Sequence, residues 1–251
     1  MKMLRRTTLA TAITLLTAQM APAAELQEQD LGEITVTATR AETALADVPA
    51  AISVVTQDDI QLGRQQLGLD ESLARIPGLF MLNRYNFAQD LRIGIRGFGS
   101  RASFGIRGIK VFVDDLPNTL PDGQGGVDDI DIGSLSRAEV LRGPAGSIYG
   151  SAAGGVISLY TEEGPAEPFV EARSTWGSYK TEKSQVKAGG QRGALNYLFS
   201  VSHLKSQGYR QQSRVEHMGL NGKLRYDIDD SSSFTTVFNA VHSRMRTIPA
   251  A

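Results

Sequence analysis

Two copies of Gly-Ile-Arg-Gly, at 94–97 and 105–108, bracket a run of glycine, serine and arginine that could do chemistry in several ways. Residues 97–102, "GFGSRA", fit the G-x-G-x-x-G/A spacing of a dinucleotide-binding turn, and a strand-forming "LRIGI" precedes them. That turn needs a helix opening directly after it, because the helix N-terminus faces the pyrophosphate. Here "SFGIRGIKVFV" follows, with two more glycines and then another strand, so a nucleotide cradle is disfavoured. RNA binding through the arginines needs stacking aromatics and a basic surplus. The formal charge of −1 supplies no such surplus, and no nucleic-acid partner is expected.

Other chemistries are equally poorly served. "DDLPNTLPDGQGGVDDID" (114–131) is rich in aspartate and glycine like a calcium loop, but the EF-hand spacing is not met, and solvated turns are the simpler reading. His203, His217 and His242 are scattered, cysteine is absent, and no G-x-S-x-G elbow occurs. No nucleophile–base pair, metal set or cofactor cradle is legible, so a non-enzymatic protein without a cofactor is expected.

The elements that carry these residues begin with an export signal. Lys2, Arg5 and Arg6 precede the apolar "TLATAITLLTA", and Ala21 and Ala23 have the small-residue spacing of a cleavage site. This is the three-part grammar of a secretory signal peptide over 1–23. Later apolar runs are too short for a spanning helix. An exported chain of this kind is periplasmic, secreted or part of an outer-membrane barrel.

Residues 24–44 read as a polar tail that contains "GEITVTATR" (32–40). Ile34, Val36 and Ala38 alternate with threonines there, and nothing adjacent offers a pairing strand. Such a segment can add itself to another protein's sheet edge, or serve as an ordinary edge strand. Residues 45–163 then mix short strands and helices: strands at 51–55, 91–97, 108–115, 137–143 and 154–161, and helices over "DIQLGRQQL" and "ESLARI". Thr56 with Asp59 supplies a capping signature for the first helix, and Asp70 is positioned to cap the second. A small α+β domain is expected.

From 168 to 251 the texture becomes antiparallel. In "ALNYLFSVS", Leu195, Tyr197, Phe199 and Val201 fall on one face, and Asn196, Ser200 and Ser202 on the other. In "HMGLNGKLRY", Met218, Leu220, Leu224 and Tyr226 share a face opposite His217, Asn221, Lys223 and Arg225. About five such segments, each ~10 residues long, suit the wall of a lipid-facing barrel. A soluble sandwich reads similarly, and the export signal favours the barrel.

Taken in order, these stretches resemble the N-terminal part of a TonB-dependent outer-membrane receptor of the siderophore type. "GEITVTATR" resembles the TonB box, and "LRIGIRGFGSR" the I-R-G motif of the plug. "KVFVDDLP" is similar to V-x-V/L-D-G-x-P, with Asp115 where glycine is usual. "RAEVLRGPAGSIYGSAAGGVISLYT" resembles the stretch that closes the plug. The resemblance covers residues 32–162 in the family's order and spacing.

It implies a plug domain inside a barrel of about 22 strands, in the outer membrane of a Gram-negative bacterium. It implies uptake of a ferric siderophore or ferric citrate-like chelate, with cobalamin or another scarce nutrient as alternatives. TonB would pair with Glu33, Ile34, Thr35, Val36, Thr37 and Ala38. Arg96 and Arg142 would face glutamates of the barrel wall, and outer-membrane lipid would surround a full barrel. Ligand contacts would come from the apical loops holding Arg84, Tyr85, Asn86 and Phe87, then Arg101, Ser103 and Phe104, then Asn118 and Asp122. Arginine with aromatics suits an anionic chelate. The chain ends at "TIPAA" after about five of those strands, so a truncated form is expected, unable to insert with two open sheet edges. A secreted β-rich adhesin is the alternative from another class.

Overall fold

The computed structural model describes residues 34–38, 40–82, 84–87, 89–102, 105–209, 213–229 and 231–245. A hairpin comes first, pairing β1 (Thr35–Val36) with β2 (Thr43–Ala44). The strand expected to lack a partner therefore has one, because residues 37–42 double the chain back. The backbone bond from Arg40 N to Thr37 O, 2.8 Å, closes that turn.

Next come β3 (Ala51–Thr56), α1 (Gln57–Gln61), α2 (Asp70–Leu73), β4 (Leu79–Leu82), β5 (Arg92–Ile95), β6 (Ile106–Arg107), β7 (Ile109–Val113), β8 (Leu116–Pro117) and β9 (Gln124–Gly125). β10 (Leu135–Arg142), α3 (Gly146–Tyr149) and β11 (Gly155–Thr161) complete this part. The main sheet has the order β3-β10-β11-β7-β8, with β11 and β7 parallel and its other pairs antiparallel. β4 pairs with β5, and β6 with β9.

Both faces of the main sheet are covered, which alternation along its strands makes possible. Val55, Val111, Ala138, Val140, Ile157 and Leu159 turn to one face, where Ile60, Leu69 and Leu73 of the helical segment join them. Ile52, Phe112, Leu141 and Val156 turn to the other, under Val36, Ala38 and Tyr149. The two glycines of the closing motif have a steric cause here. Gly155 has φ +142, and a Cβ there would lie 2.2 Å from the Leu141 carbonyl oxygen.

The helices are shorter than their sequences suggest. Thr56 caps α1 as expected, accepting from Asp59 N, but α1 ends at Gln61 and Gly63 turns the chain at φ +66. Asp70 lies inside α2, and its carboxylate is taken by Arg84 at 2.6 Å instead of capping. Glu71 reaches back to the Gln65, Gln66 and Leu67 amides at 2.7–3.0 Å, so it orders the approach to that helix.

Five antiparallel strands follow in chain order: β12 (Phe169–Gly177), β13 (Thr181–Arg192), β14 (Leu195–Ser206), β15 (Val215–Asp229) and β16 (Ser232–Met245). The alternation of β14 falls as read: Asn196, Ser200 and Ser202 are buried, whereas Leu195, Phe199 and Val201 are exposed. A sheet that buries its polar face and exposes its apolar face is inverted relative to a soluble protein. The inversion suits lipid outside and a polar filling inside.

Candidate functional site

Residues 35–38, and Arg40 beyond them, are held against the plug sheet by groups of several kinds. Val36 and Ala38 are fully buried beside Ile52, Leu141 and Tyr149. Burying a valine side chain contributes about 1.5–3 kcal/mol. Glu139, in the middle of β10 and without solvent exposure, accepts from two successive amides at Oε2: Thr37 N at 3.0 Å and Ala38 N at 2.9 Å. Tyr149 OH donates to the Ala38 carbonyl at 2.8 Å. The Arg40 guanidinium lies over the rings of Phe112 and Tyr149, 5.1 and 4.7 Å from their centroids. Burial raises the Tyr149 hydroxyl pKa, which keeps it a donor.

Glu139 has its own support. Its Oε1 stands 3.1 Å from Arg137 Nε, an ion pair without hydrogen-bond alignment. The Arg137 guanidinium lies 4.3 Å from the centre of the Tyr160 ring, and Tyr160 OH meets Thr37 Oγ1 at 2.6 Å. Of the residues read as a partner-pairing segment, Thr35, Val36, Thr37 and Ala38 thus share one docked stretch. Ile34 precedes it, and Glu33 lies outside the described residues.

A second grouping is a cavity of about 110 Å³ between the plug and the wall. Arg84, Tyr85, Asn86 and Phe87 line it, together with Asp128, Asp131, Lys183 and His217. Arg101, Asn118 and Asp122 are elsewhere, and Ser103 and Phe104 lie outside the described residues. Asn118 Nδ2 donates to Gly126 O at 2.9 Å, and Asp122 accepts from Gln124 N at 2.9 Å, so both order the β8–β9 turn. Arg84, read as a ligand cation, is already paired with the buried Asp70.

Desolvation in the cavity, then the charge of Asp90 and a hydrogen bond to it, push the Asp128 carboxyl up to about 6. Asp128 is also open to solvent, which screens the associated free energy. Since its ordinary value is 3.8, the folded chain carries the extra proton between pH 3.8 and about 6. Stability is expected to fall as pH rises through that window. Denaturation midpoints at pH 4.5 and 7 should differ less for Asp128→Asn than for the unmodified protein.

The plug is seated on the wall by charges that the motifs did not reveal. Lys187 of β13 is almost wholly buried and pairs with Glu162 at 2.7 Å, while its Nζ also donates to Gly133 O at 3.3 Å. Gln61 Nε2 donates to the same Glu162 oxygen and to Leu135 O. Lys223 of β15 pairs with Asp114 at 3.2 Å, and Asp114 also accepts from Thr161 N and Oγ1. Gln185 of β13 donates to Asp131 and to Ser200. The available signal was a lysine or glutamine at an inward position of an alternating strand.

Arg96 and Arg142 converge on one turn. Arg142 Nη1 donates to Pro77 O at 2.9 Å, and the Arg96 amide to Gly78 O at 2.8 Å. Among the described residues, neither side chain comes within 4.0 Å of a carboxylate.

A mixed-sheet domain seated by buried charges on the polar face of an inverted antiparallel sheet defines the class of plugged β-barrels. Residues 44–156 match the family model of the TonB-dependent receptor plug domain, so this stretch is a plug domain of that family. It is 30% identical over 222 residues to the vitamin B12 transporter BtuB of Vibrio vulnificus, covering 84% of this chain and 35% of that one. It is 25% identical to the metal-pseudopaline receptor CntO of Pseudomonas aeruginosa, covering 84% of this chain and 28% of the relative. The chain thus spans about a third of the length of these curated relatives. In fold it is similar to the pyoverdine outer membrane receptor FpvA of P. aeruginosa, with a TM-score of 0.66, 19% identity, and coverage of 86% and 31% of the two chains.

Proposed function

We propose that this chain is the plug-bearing part of an outer-membrane receptor that takes up a scarce metal chelate, a ferric siderophore first among them, without enzymatic chemistry. TonB would grip residues 33–38 by strand addition and draw on the plug. The observation that carries this reading is the docked segment Thr35–Ala38, which precedes the plug sheet and is held by backbone groups and two small apolar side chains. A grip of that kind reads backbone, as strand addition does. The relatives' cargoes, vitamin B12, metal-pseudopaline and pyoverdine, support a chelated metal as the ligand class and keep cobalamin as the alternative. The apical loops at 84–87, 101–104 and 118–122 are assigned to ligand contact, with 84–87 foremost because they line the cavity.

The test is retention of the receptor on immobilised periplasmic TonB fragment, with and without ferric chelate. Retention that a peptide of residues 32–40 competes away is expected. A β-rich adhesin would show no retention.

A further inference from the structure

We propose that Glu139 is a positioning residue that latches the Thr35–Arg40 segment in a shape no partner strand can pair with. The proposal rests on the strand-addition reading above for its consequence, but not for its geometry.

An added strand needs extended backbone with amides alternating to either side. The docked segment offers neither. Thr35 and Val36 are already paired with Ala44 and Thr43 of β2. At Thr37 and Ala38 two successive amides point the same way, onto the single oxygen Glu139 Oε2. Consecutive amides converging on one anion form a nest, which is curled backbone. The bend continues through the Arg40 N to Thr37 O bond and the positive φ of Arg40, +66. Tyr149 OH takes the Ala38 carbonyl, the acceptor a partner would use next. Straightening the segment therefore requires both amides to leave Glu139.

Glu139 suits this role because its charge is buried. A carboxylate in a dry site holds amides by charge-assisted bonds, roughly twice as strong as neutral ones. Arg137, stacked on Tyr160, stands beside the carboxylate and supplies a compensating charge that does not depend on the two amides. The latch can thus open and leave behind a paired ion. A structural glutamate serving only the sheet would have no reason to reach Thr37 and Ala38, about 100 residues earlier in the chain.

The chain contains no cysteine, so Val36→Cys places a single thiol on the buried face of the segment. Ile157→Cys, buried on the opposite face of the sheet, reports opening of the plug itself. Both would be made in the receptor carrying this chain, in outer-membrane vesicles, and labelled with a maleimide. Adding Glu139→Gln is expected to raise the labelling rate at Val36→Cys about tenfold and leave Ile157→Cys unlabelled. Tyr149→Phe, which removes one neutral bond, should raise it about threefold. Unchanged rates at Val36→Cys in both variants would overturn the latch. If Glu139→Gln opens Ile157→Cys as well, Tyr149→Phe decides by the same criterion. The affinity for the TonB fragment separates the two readings. Faster labelling with unchanged affinity keeps the latch and removes strand addition. Unchanged labelling with peptide-competed retention does the reverse.

Discussion

Val36→Pro is expected to reduce uptake of the ferric chelate to background while ligand binding to the receptor persists. Val36 lies in the middle of the segment assigned to TonB, and it pairs with Thr43 in the β1–β2 hairpin. Proline removes that amide and fixes φ near −65°, so neither the hairpin nor an added strand can run through the position. The substitution also takes a fully buried valine out of the second core, which loosens docking. Loosening alone would favour TonB capture, and loss of strand pairing abolishes it, so the two effects oppose each other in uptake. Val36→Thr separates them: it keeps the amide and the β-branched shape but disfavours burial. Radiolabelled chelate bound to isolated outer membranes and accumulated by intact cells are the two measurements. Uptake lost in the proline variant and kept in the threonine variant assigns the effect to backbone pairing. Normal uptake by Val36→Pro would remove residues 33–38 from the coupling role.

The contrast between Val36 and the wall strands shows what the sequence can and cannot carry. The inward and outward faces of β14 were legible because alternation is local: Asn196, Ser200 and Ser202 sit two or four residues apart and share a face by geometry alone. The longer main-sheet strands were legible as short apolar runs between turn residues, and the closing motif because Gly155 meets the Leu141 carbonyl within the β10–β11 hairpin. The docking of Thr35–Arg40 was not, since its anchors, Glu139, Tyr149 and Phe112, lie some 70 to 110 residues away. Glu139 reads from sequence as one polar residue in "RAEVLRG", where alternation would place it outward on a half-buried strand. It is buried because Val36, Ala38, Leu45 and Val48 help to cover that face of the sheet. Arg84 shows a different limit. An arginine beside an aromatic suggests an anion site, but the structure spends its charge on Asp70.

Lys187 is the residue for which a loss of stability should be largest. Its ammonium is buried where β13 meets the last turn of the plug, and Glu162, Gly133 O and the more distant Glu171 at 3.5 Å are its partners. Lys187→Met keeps the length of the side chain and removes the charge, which leaves the buried Glu162 carboxyl with Gln61 as its remaining hydrogen-bond donor among the described residues. Breaking a buried pair on one side costs about 3–5 kcal/mol, whereas replacing both members with apolar groups is often near neutral. The double variant Lys187→Met/Glu162→Met is therefore expected to recover most of what the single one loses. Amide exchange of residues 155–161 in the receptor provides the measurement, because β11 leads directly into Glu162. At about 1.4 kcal/mol per tenfold, a loss of 3 kcal/mol speeds exchange by globally opened amides on the order of a hundredfold. The double variant should return to within about tenfold of the parent. Recovery would identify the uncompensated glutamate, and not the missing lysine contacts, as the cause. Equal acceleration in single and double variants would mean instead that Lys187 seats the plug through its bond to Gly133 O and its packing. The Lys223–Asp114 pair of β15 would then be left as one charge-based attachment between plug and wall.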